Sequence, residues 1–263
     1  MRKTSFGGIL LIAAMLTVAT LAFAQEQGDQ FHWTGRLAPG QVVEIKGVNG
    51  SIDAQGVAGD QIEVTAAKSG DDRDSVHIVV VPNPEGVTIC AVYPSRDGDQ
   101  NKCEPGDSWH VNNRHNDTRV DFTVRLPKDL RFTAKSVNGD VAARDLGKFV
   151  KASSVNGAVR VATDDLAQAS SVNGSVEVRM GRADWDGTLR FATVNGSIKL
   201  EVPSSLSADV HFHSVNGRLK TDFPMTMEGE IGRGRVDGRI GNGGRNLELN
   251  TVNGSVEVRK AAM

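Results

Sequence analysis

The chain has 263 residues, with 30 basic against 32 acidic side chains and a formal net charge of −2. That balance, with no basic stripe interleaved with aromatics, excludes the electrostatic footprint of a nucleic-acid binder. Only nine Phe and one Tyr are on hand for a core, so any core is thin and filled by Val, Leu, Ile and Ala, which suits stacked layers better than a globular sandwich.

Residues 1–24 place Arg2 and Lys3 before an apolar run from Ile9 to Phe23 and close on Ala22, Phe23 and Ala24 ahead of Gln25. This is the pattern of a secretory signal peptide, and the run is short for a membrane span. Cleavage would leave 239 residues with 28 basic and 32 acidic groups and no spanning segment. The expectation is export from a bacterial cytoplasm, to the periplasm, the cell surface or the medium.

Residues 25–129 read as an N-terminal β region. It holds a founding rung or cap around Asn49 and Gly50, then a second turn from Gly56 to Asp60. Strands over 75–81 and 87–93 flank the turn residues Pro82, Asn83, Pro84, Glu85 and Gly86. A polar, aperiodic stretch, 94–117, follows, and a loop of that length is usually functional or disordered. Cys90 and Cys103, the only cysteines, are expected to form a disulfide in an exported chain, closing the loop 91–102 and contributing about 3 kcal/mol. Val120, Phe122, Val124 and Leu126 then restore alternation, and Pro127 ends it.

Residues 130–263 form a repeat array. Val-Asn-Gly occurs seven times in the chain, with turn positions Asn49 and Gly50, Asn138 and Gly139, Asn156 and Gly157, Asn173 and Gly174, Asn195 and Gly196, Asn216 and Gly217, and Asn253 and Gly254. A degenerate copy stands at Val236, Asp237 and Gly238, inside a glycine-rich stretch, 224–245, read as a distorted rung. From Asn138 the spacings are 18, 17, 22, 21, 21 and 16 residues, about one short supersecondary unit each. Around each motif apolar residues alternate with polar ones, the signal of a half-buried strand. The phase slips across the turn, so Thr193 and Ile198 share the buried side.

Two geometries satisfy that slip. In one, Asn-Gly closes a β-hairpin, because both positions tolerate a left-handed backbone. In the other, the motif is an arc between two facing sheets and each strand pairs with its counterpart in the next repeat. Near-identical turns favour the second, since motif asparagines can then ladder along the stack. The fold class expected is all-β, a β-solenoid-like stack of two-strand rungs, with a meander of amphipathic hairpins as the alternative. Arg259 and Lys260 are expected to shield the final edge.

The motif series, the Asp121-Phe122-Thr123-Val124-Arg125-Leu126-Pro127 segment and the glycine-rich approach to Thr251-Val252-Asn253-Gly254-Ser255-Val256 resemble the bacterial putative-adhesin family of β-strand-repeat proteins, a family of unknown function. The resemblance covers roughly residues 31–260. It implies an exported, non-catalytic, solenoid-like protein of the cell envelope, and it supplies no catalytic or binding residues.

The residues themselves show no nucleophile placed beside a His and a carboxylate, so no catalytic residue, cofactor or metal is assigned. The run Asp97-Gly98-Asp99-Gln100-Asn101 starts like a calcium loop, yet Lys102 stands where glycine is needed. His211 and His213, on the solvent side of a strand, read as surface histidines. Charges at Arg160, Glu177, Lys199, Lys220 and Glu257 form a mixed stripe. The candidate ligand contacts are Trp185, an aromatic in a connector that reads first as a rung cap and otherwise as an exposed platform for glycan stacking, and Trp109 and His110 in the long loop. The function expected is an adhesin or interaction scaffold displaying a β-repeat surface to an envelope protein or glycan. The alternatives are a carbohydrate-active β-helix enzyme with Trp185 as platform, or an envelope-stress sensor module.

Overall fold

The structure, a computed structural model, describes residues 23–96, 101–107, 111–112, 116–227 and 234–261. A hairpin of β1 (Phe23–Gln27) and β2 (Gln30–Gly35) comes first, so β1 begins within the last two residues of the expected leader. β3 (Val42–Asn49) and β4 (Ile52–Val57) flank the first motif, and β5 (Ile62–Ser69) follows. β6 (His77–Asn83) and β7 (Gly86–Val92) form an antiparallel hairpin, and β8 (Arg119–Pro127) resumes after the long loop.

Each later motif joins one strand to another. The pairs are β9 (Arg131–Asn138) with β10 (Val141–Leu146), β11 (Val150–Asn156) with β12 (Val159–Thr163), and β13 (Ala167–Asn173) with β14 (Val176–Met180). Next come β15 (Thr188–Asn195) with β16 (Ile198–Val202) and β17 (Ala208–Asn216) with β18 (Leu219–Thr221). A short hairpin, β19 (Met225–Met227) and β20 (Arg235–Ile240), precedes the last pair, β21 (Asn246–Asn253) with β22 (Val256–Lys260).

The two strands flanking a motif never pair with each other; they belong to different sheets. The first sheet runs β1-β2-β5-β8-β4-β10-β12-β14-β16-β22-β18 and the second β19-β20-β17-β21-β15-β13-β11-β9-β3-β7-β6. Within the repeats all neighbours are parallel and, apart from a shift between Ala143 and Leu146 on β10, in register, so Asn156 lies beside both Asn138 and Asn173. The motif is therefore an arc between facing sheets, and the hairpin alternative does not hold. The core between the sheets is a set of stacked columns. Val141, Val159 and Val176 align in the first sheet and are fully buried. Ala134, Ala152 and Ala169 align in the second, with Phe191 next in line. Full burial of each such valine contributes about 1.5–3 kcal/mol.

Why the motif needs its residues follows from how closely the rungs approach. A Cβ on Gly139, Gly157, Gly174 or Gly196 would lie 2.0–2.2 Å from the carbonyl oxygen of the preceding motif glycine. Of the seven motif glycines only Gly50 and Gly254 have a positive φ, and no motif asparagine does. The left-handed backbone expected of Asn-Gly is thus not the reason for the sequence; contact between rungs is. The asparagines form one directed amide column. Asn138 donates to Asn49, Asn156 to Asn138, Asn173 to Asn156, Asn195 to Asn173, Asn253 to Asn195 and Asn216 to Asn253, at 2.8–2.9 Å. Behind it, the hydroxyl before the motif valine donates to the glycine carbonyl one rung back, as from Ser154 to Gly139 and from Thr193 to Gly174, both at 2.8 Å. Ser214, in the terminal rung, is buried with its hydroxyl unpartnered among the described residues.

Three expectations are corrected. The last motif in the chain is not the last in the stack: β21 lies between β15 and β17, and β22 between β16 and β18. Identical motifs accept one another in any order, and β20, antiparallel to β17, returns the chain to where β17 starts. A turn with left-handed Gly241, Gly243 and Gly244 then admits β21 on the opposite side of β17. Arg259 and Lys260 therefore sit on an interior strand, and the terminal strand of that sheet is the three-residue β18. The degenerate copy at Asp237 is mid-strand in β20, in an edge hairpin rather than a rung.

Replacing Gly174 by Ala is expected to lower the unfolding free energy by about 2–3 kcal/mol, because two backbones must separate. Asn173→Ala, which removes two exposed amide bonds, is expected to cost only about 1 kcal/mol. Urea unfolding of the two variants checks this order.

Candidate functional site

Alternation gives each sheet an outer face, and the two differ in chemistry. On the first sheet the mixed charge stripe is present and paired: Lys199 meets Glu177 and Glu201 at 3.0 Å, Lys220 meets Glu257 at 3.0 Å, and Arg144 meets Asp53 at 2.7 Å. Such exposed pairs contribute little individually and mark a solvated face. On the second sheet the motif valines stand in a row beside the asparagine column. Val155, Val172, Val194 and Val252 are 36–40% exposed and Val215 is 64% exposed. Half-exposed Ser153, Ser170 and Ala192 flank them.

At the N-terminal end of that same face the long loop folds over the sheet. The Cys90–Cys103 disulfide ties the loop to β7, as the cysteine pair implies. Register places Thr88, Glu44, Thr133 and Lys151 in one row across four strands, and Cys90, Lys46 and Lys135 in the next. The loop closes on these rows. Lys46, wholly buried, donates to the carbonyls of Glu104 and Gly106 and lies 3.4 Å from the Glu44 carboxylate. Lys135 donates to the Gly106 carbonyl at 2.7 Å and to Asp107 at 3.1 Å, and Lys151 to both Asp107 oxygens at 2.8 Å. Glu44 accepts from the Thr88 hydroxyl at 2.9 Å and the Gly106 amide at 3.0 Å.

Burial pushes the Lys46 ammonium below the ordinary lysine range. Hydrogen bonds from Lys151 and Lys135 hold the Asp107 carboxyl down at about 2. This clasp went unread in the sequence, where Glu44 and Lys46 alternate with Val43 and Ile45 like any solvated strand face. The one signal for it was the disulfide, which forces a long loop back across β7.

The asparagine column is also closed at this end. Asn49 donates to the Thr118 carbonyl at 3.3 Å, and the Tyr93 hydroxyl donates to the same carbonyl at 2.9 Å. Tyr93 is buried, and burial raises its pKa to about 12.

The other sequence candidates fare differently. Trp185 is not an exposed platform. It is 7% exposed, packs into the core and donates its indole N–H to the Asn246 carbonyl at 3.1 Å, covering the start of the inserted rung. The salt-bridged Asp184 beside it made the segment look solvated. Trp109, His110 and His115 lie outside the described residues, as do Asp97 to Gln100 of the calcium-like run; Asn101 is described and donates to the Tyr93 carbonyl at 2.9 Å. His211 pairs with Asp237 at 2.8 Å and His213 is exposed.

Because Asp107 titrates below its ordinary range, its contribution is present above about pH 4 and fades as pH falls through about 2. The carboxylate is largely exposed, so solvent screening keeps the effect on global stability small. The protection factor of the Gly106 amide, taken against intrinsic exchange at each pH, is expected to fall between about pH 4 and pH 2 in the native chain. In Asp107→Asn protection is expected to be lower above about pH 4 and to lack most of that fall, since the bonds from Lys135 and Lys151 to a carboxylate are missing while Glu44 still accepts from the amide.

No curated protein matches the sequence. Among solved structures the chain is similar to a putative cell adhesion protein from Clostridium sporogenes, at 11% identity and a TM-score of 0.47 over 88% of this chain and 99% of that one. It is also similar to a putative adhesin from Bacteroides fragilis, at 12% identity and a TM-score of 0.36 over 89% and 98%. The family model described as Toastrack DUF4097 matches residues 13–259, and the chain belongs to that family.

Proposed function

We propose that the protein is a non-catalytic, exported scaffold of the cell envelope, adhesin-like in that it holds a partner against the outer face of its second sheet. The observation that carries this reading is the row of motif valines. A soluble β-sheet ordinarily puts polar residues on its outer face, yet five valines between 36% and 64% exposed recur there at one position per rung. Contiguous exposed apolar residues rimmed by polar ones mark interaction surfaces. The stack keeps the row continuous, because each motif asparagine lies beside that of the next rung. Export is supported by the N-terminal leader pattern, and the partner class is an envelope protein or glycan. The alternative of a carbohydrate-active enzyme loses its platform with the burial of Trp185.

Immobilised protein incubated with envelope extract is expected to retain a partner that the Val155→Lys, Val194→Lys double variant does not, with the melting temperature of the two proteins within a few degrees. A control carrying Glu177→Gln on the opposite face is expected to retain it. Equal capture by all three proteins, or none by the native one, contradicts the reading.

A further inference from the structure

Between the clasped loop and the second sheet lies an open cleft of about 350 Å³. Its floor and walls are Thr133 and Lys151 from the Glu44 row, Arg131 two residues earlier on β9, Glu85 from the β6–β7 turn, Phe149 before β11 and Pro105 from the loop. The volume is at the lower end of the range for small-molecule sites, roughly 300–1,000 Å³, and suits one ring rather than a polymer segment. Because the cleft is open to solvent, that ring can belong to a longer chain.

The state of the polar groups identifies the chemistry. Glu44, at the back, accepts bonds from Thr88 and Gly106 on one oxygen and faces Lys46 and Lys135 with the other, so its charge is compensated within the clasp. Lys151 is engaged by Asp107. Arg131 is different. Its Nε donates to the Gly40 carbonyl at 2.8 Å, which fixes the side chain, and its guanidinium meets no carboxylate among the described residues. The Thr133 hydroxyl and the Glu85 carboxylate likewise make no side-chain bond among the described residues. The cleft therefore offers an anchored, unpaired guanidinium, a free hydroxyl, a free carboxylate and the apolar surface of Phe149 and Pro105. A guanidinium takes a carboxylate through paired N–H donors. A carboxylate and a hydroxyl take vicinal hydroxyl groups, and an aromatic side chain takes the C–H face of a pyranose.

We propose that this cleft binds a single acidic sugar residue, with its carboxylate on Arg131, its hydroxyls on Thr133 and Glu85, and its ring against Phe149. The site is separate from the valine row and does not depend on the role assigned to that row. Fluorine-free NMR titration of isotope-labelled protein with galacturonate, galactose, acetate and alanine tests it. Galacturonate is expected to shift the Arg131, Thr133 and Phe149 signals, with the other three compounds at least tenfold weaker. Arg131→Gln is expected to lose about tenfold or more in affinity, and Arg131→Lys to recover part of it. Arg131 is exposed, so both variants are expected to melt like the native protein, and Val155→Lys, Val194→Lys is expected to bind galacturonate normally. Equal binding of galactose removes the role of the carboxylate, and equal binding of acetate reduces the cleft to an anion site. Stronger binding of alanine makes it a zwitterion site, and no binding of galacturonate ends the proposal.

Discussion

The fold depends on one close approach, that of a motif glycine to the glycine carbonyl of the neighbouring rung. At that distance no side chain fits, and a Cβ on Gly174 would lie 2.0 Å from the Gly157 oxygen. Backbone contact this tight, repeated in every rung, allows only an in-register parallel stack. From it follow the backbone bonds of 2.8–3.2 Å linking each motif glycine amide, except that of Gly217 in the terminal rung, to the next asparagine carbonyl. The amide column in front and the hydroxyl bonds behind follow from it too. A bond to a neighbour's identical residue, unlike a bond within a hairpin, can be extended indefinitely, which is how a chain with few aromatics builds an ordered core.

An extensible stack has to end, and this one is finished by non-repeat strands at the N-terminal end and by shortened edge strands at the other. At the N-terminal end antiparallel β5 and the β1–β2 hairpin turn the first sheet, while the β6–β7 hairpin turns the second. Thr118 and Tyr93 close the asparagine column there. At the other end the edges are only three residues long, β18 and β19, and short edges resist further strand addition. The clasp belongs to the N-terminal finish. Its buried Lys46 is tolerable because two loop carbonyls and Glu44 surround the ammonium, and the disulfide keeps the loop in place to do so.

The rung was legible in the sequence because alternation and its phase slip are local. Thr193 and Ile198 had to share a side, and repetition chose the arc over the hairpin. The order of rungs was not legible. Val252 to Gly254 is the same phrase as Val215 to Gly217, and which neighbour each copy takes is decided by the path through β20 and the turn at Gly241, not by the motif. Trp185 reads as a cap or a platform from sequence, and only the inserted β21, whose Asn246 carbonyl takes the indole N–H, decides for the cap. The cleft was invisible for a related reason: Arg131, Thr133 and Lys151 look like ordinary outward positions until a loop distant in sequence roofs them. The outward face of the motif valines was legible, since alternation puts Val194 outside once Thr193 is inside, but the order of the row, with Val252 between Val194 and Val215, was not.

The amide column runs out of chain order, from Asn195 through Asn253 to Asn216, and side-chain amide NOEs in a labelled sample read it directly. Cross-peaks between the Nδ2 protons of Asn195 and Asn253 and between those of Asn253 and Asn216, with none between Asn195 and Asn216, are the predicted result. A direct Asn195–Asn216 contact, or strong backbone contacts across a single motif such as Thr193 to Ile198, would show sequential rungs or closed hairpins and contradict it.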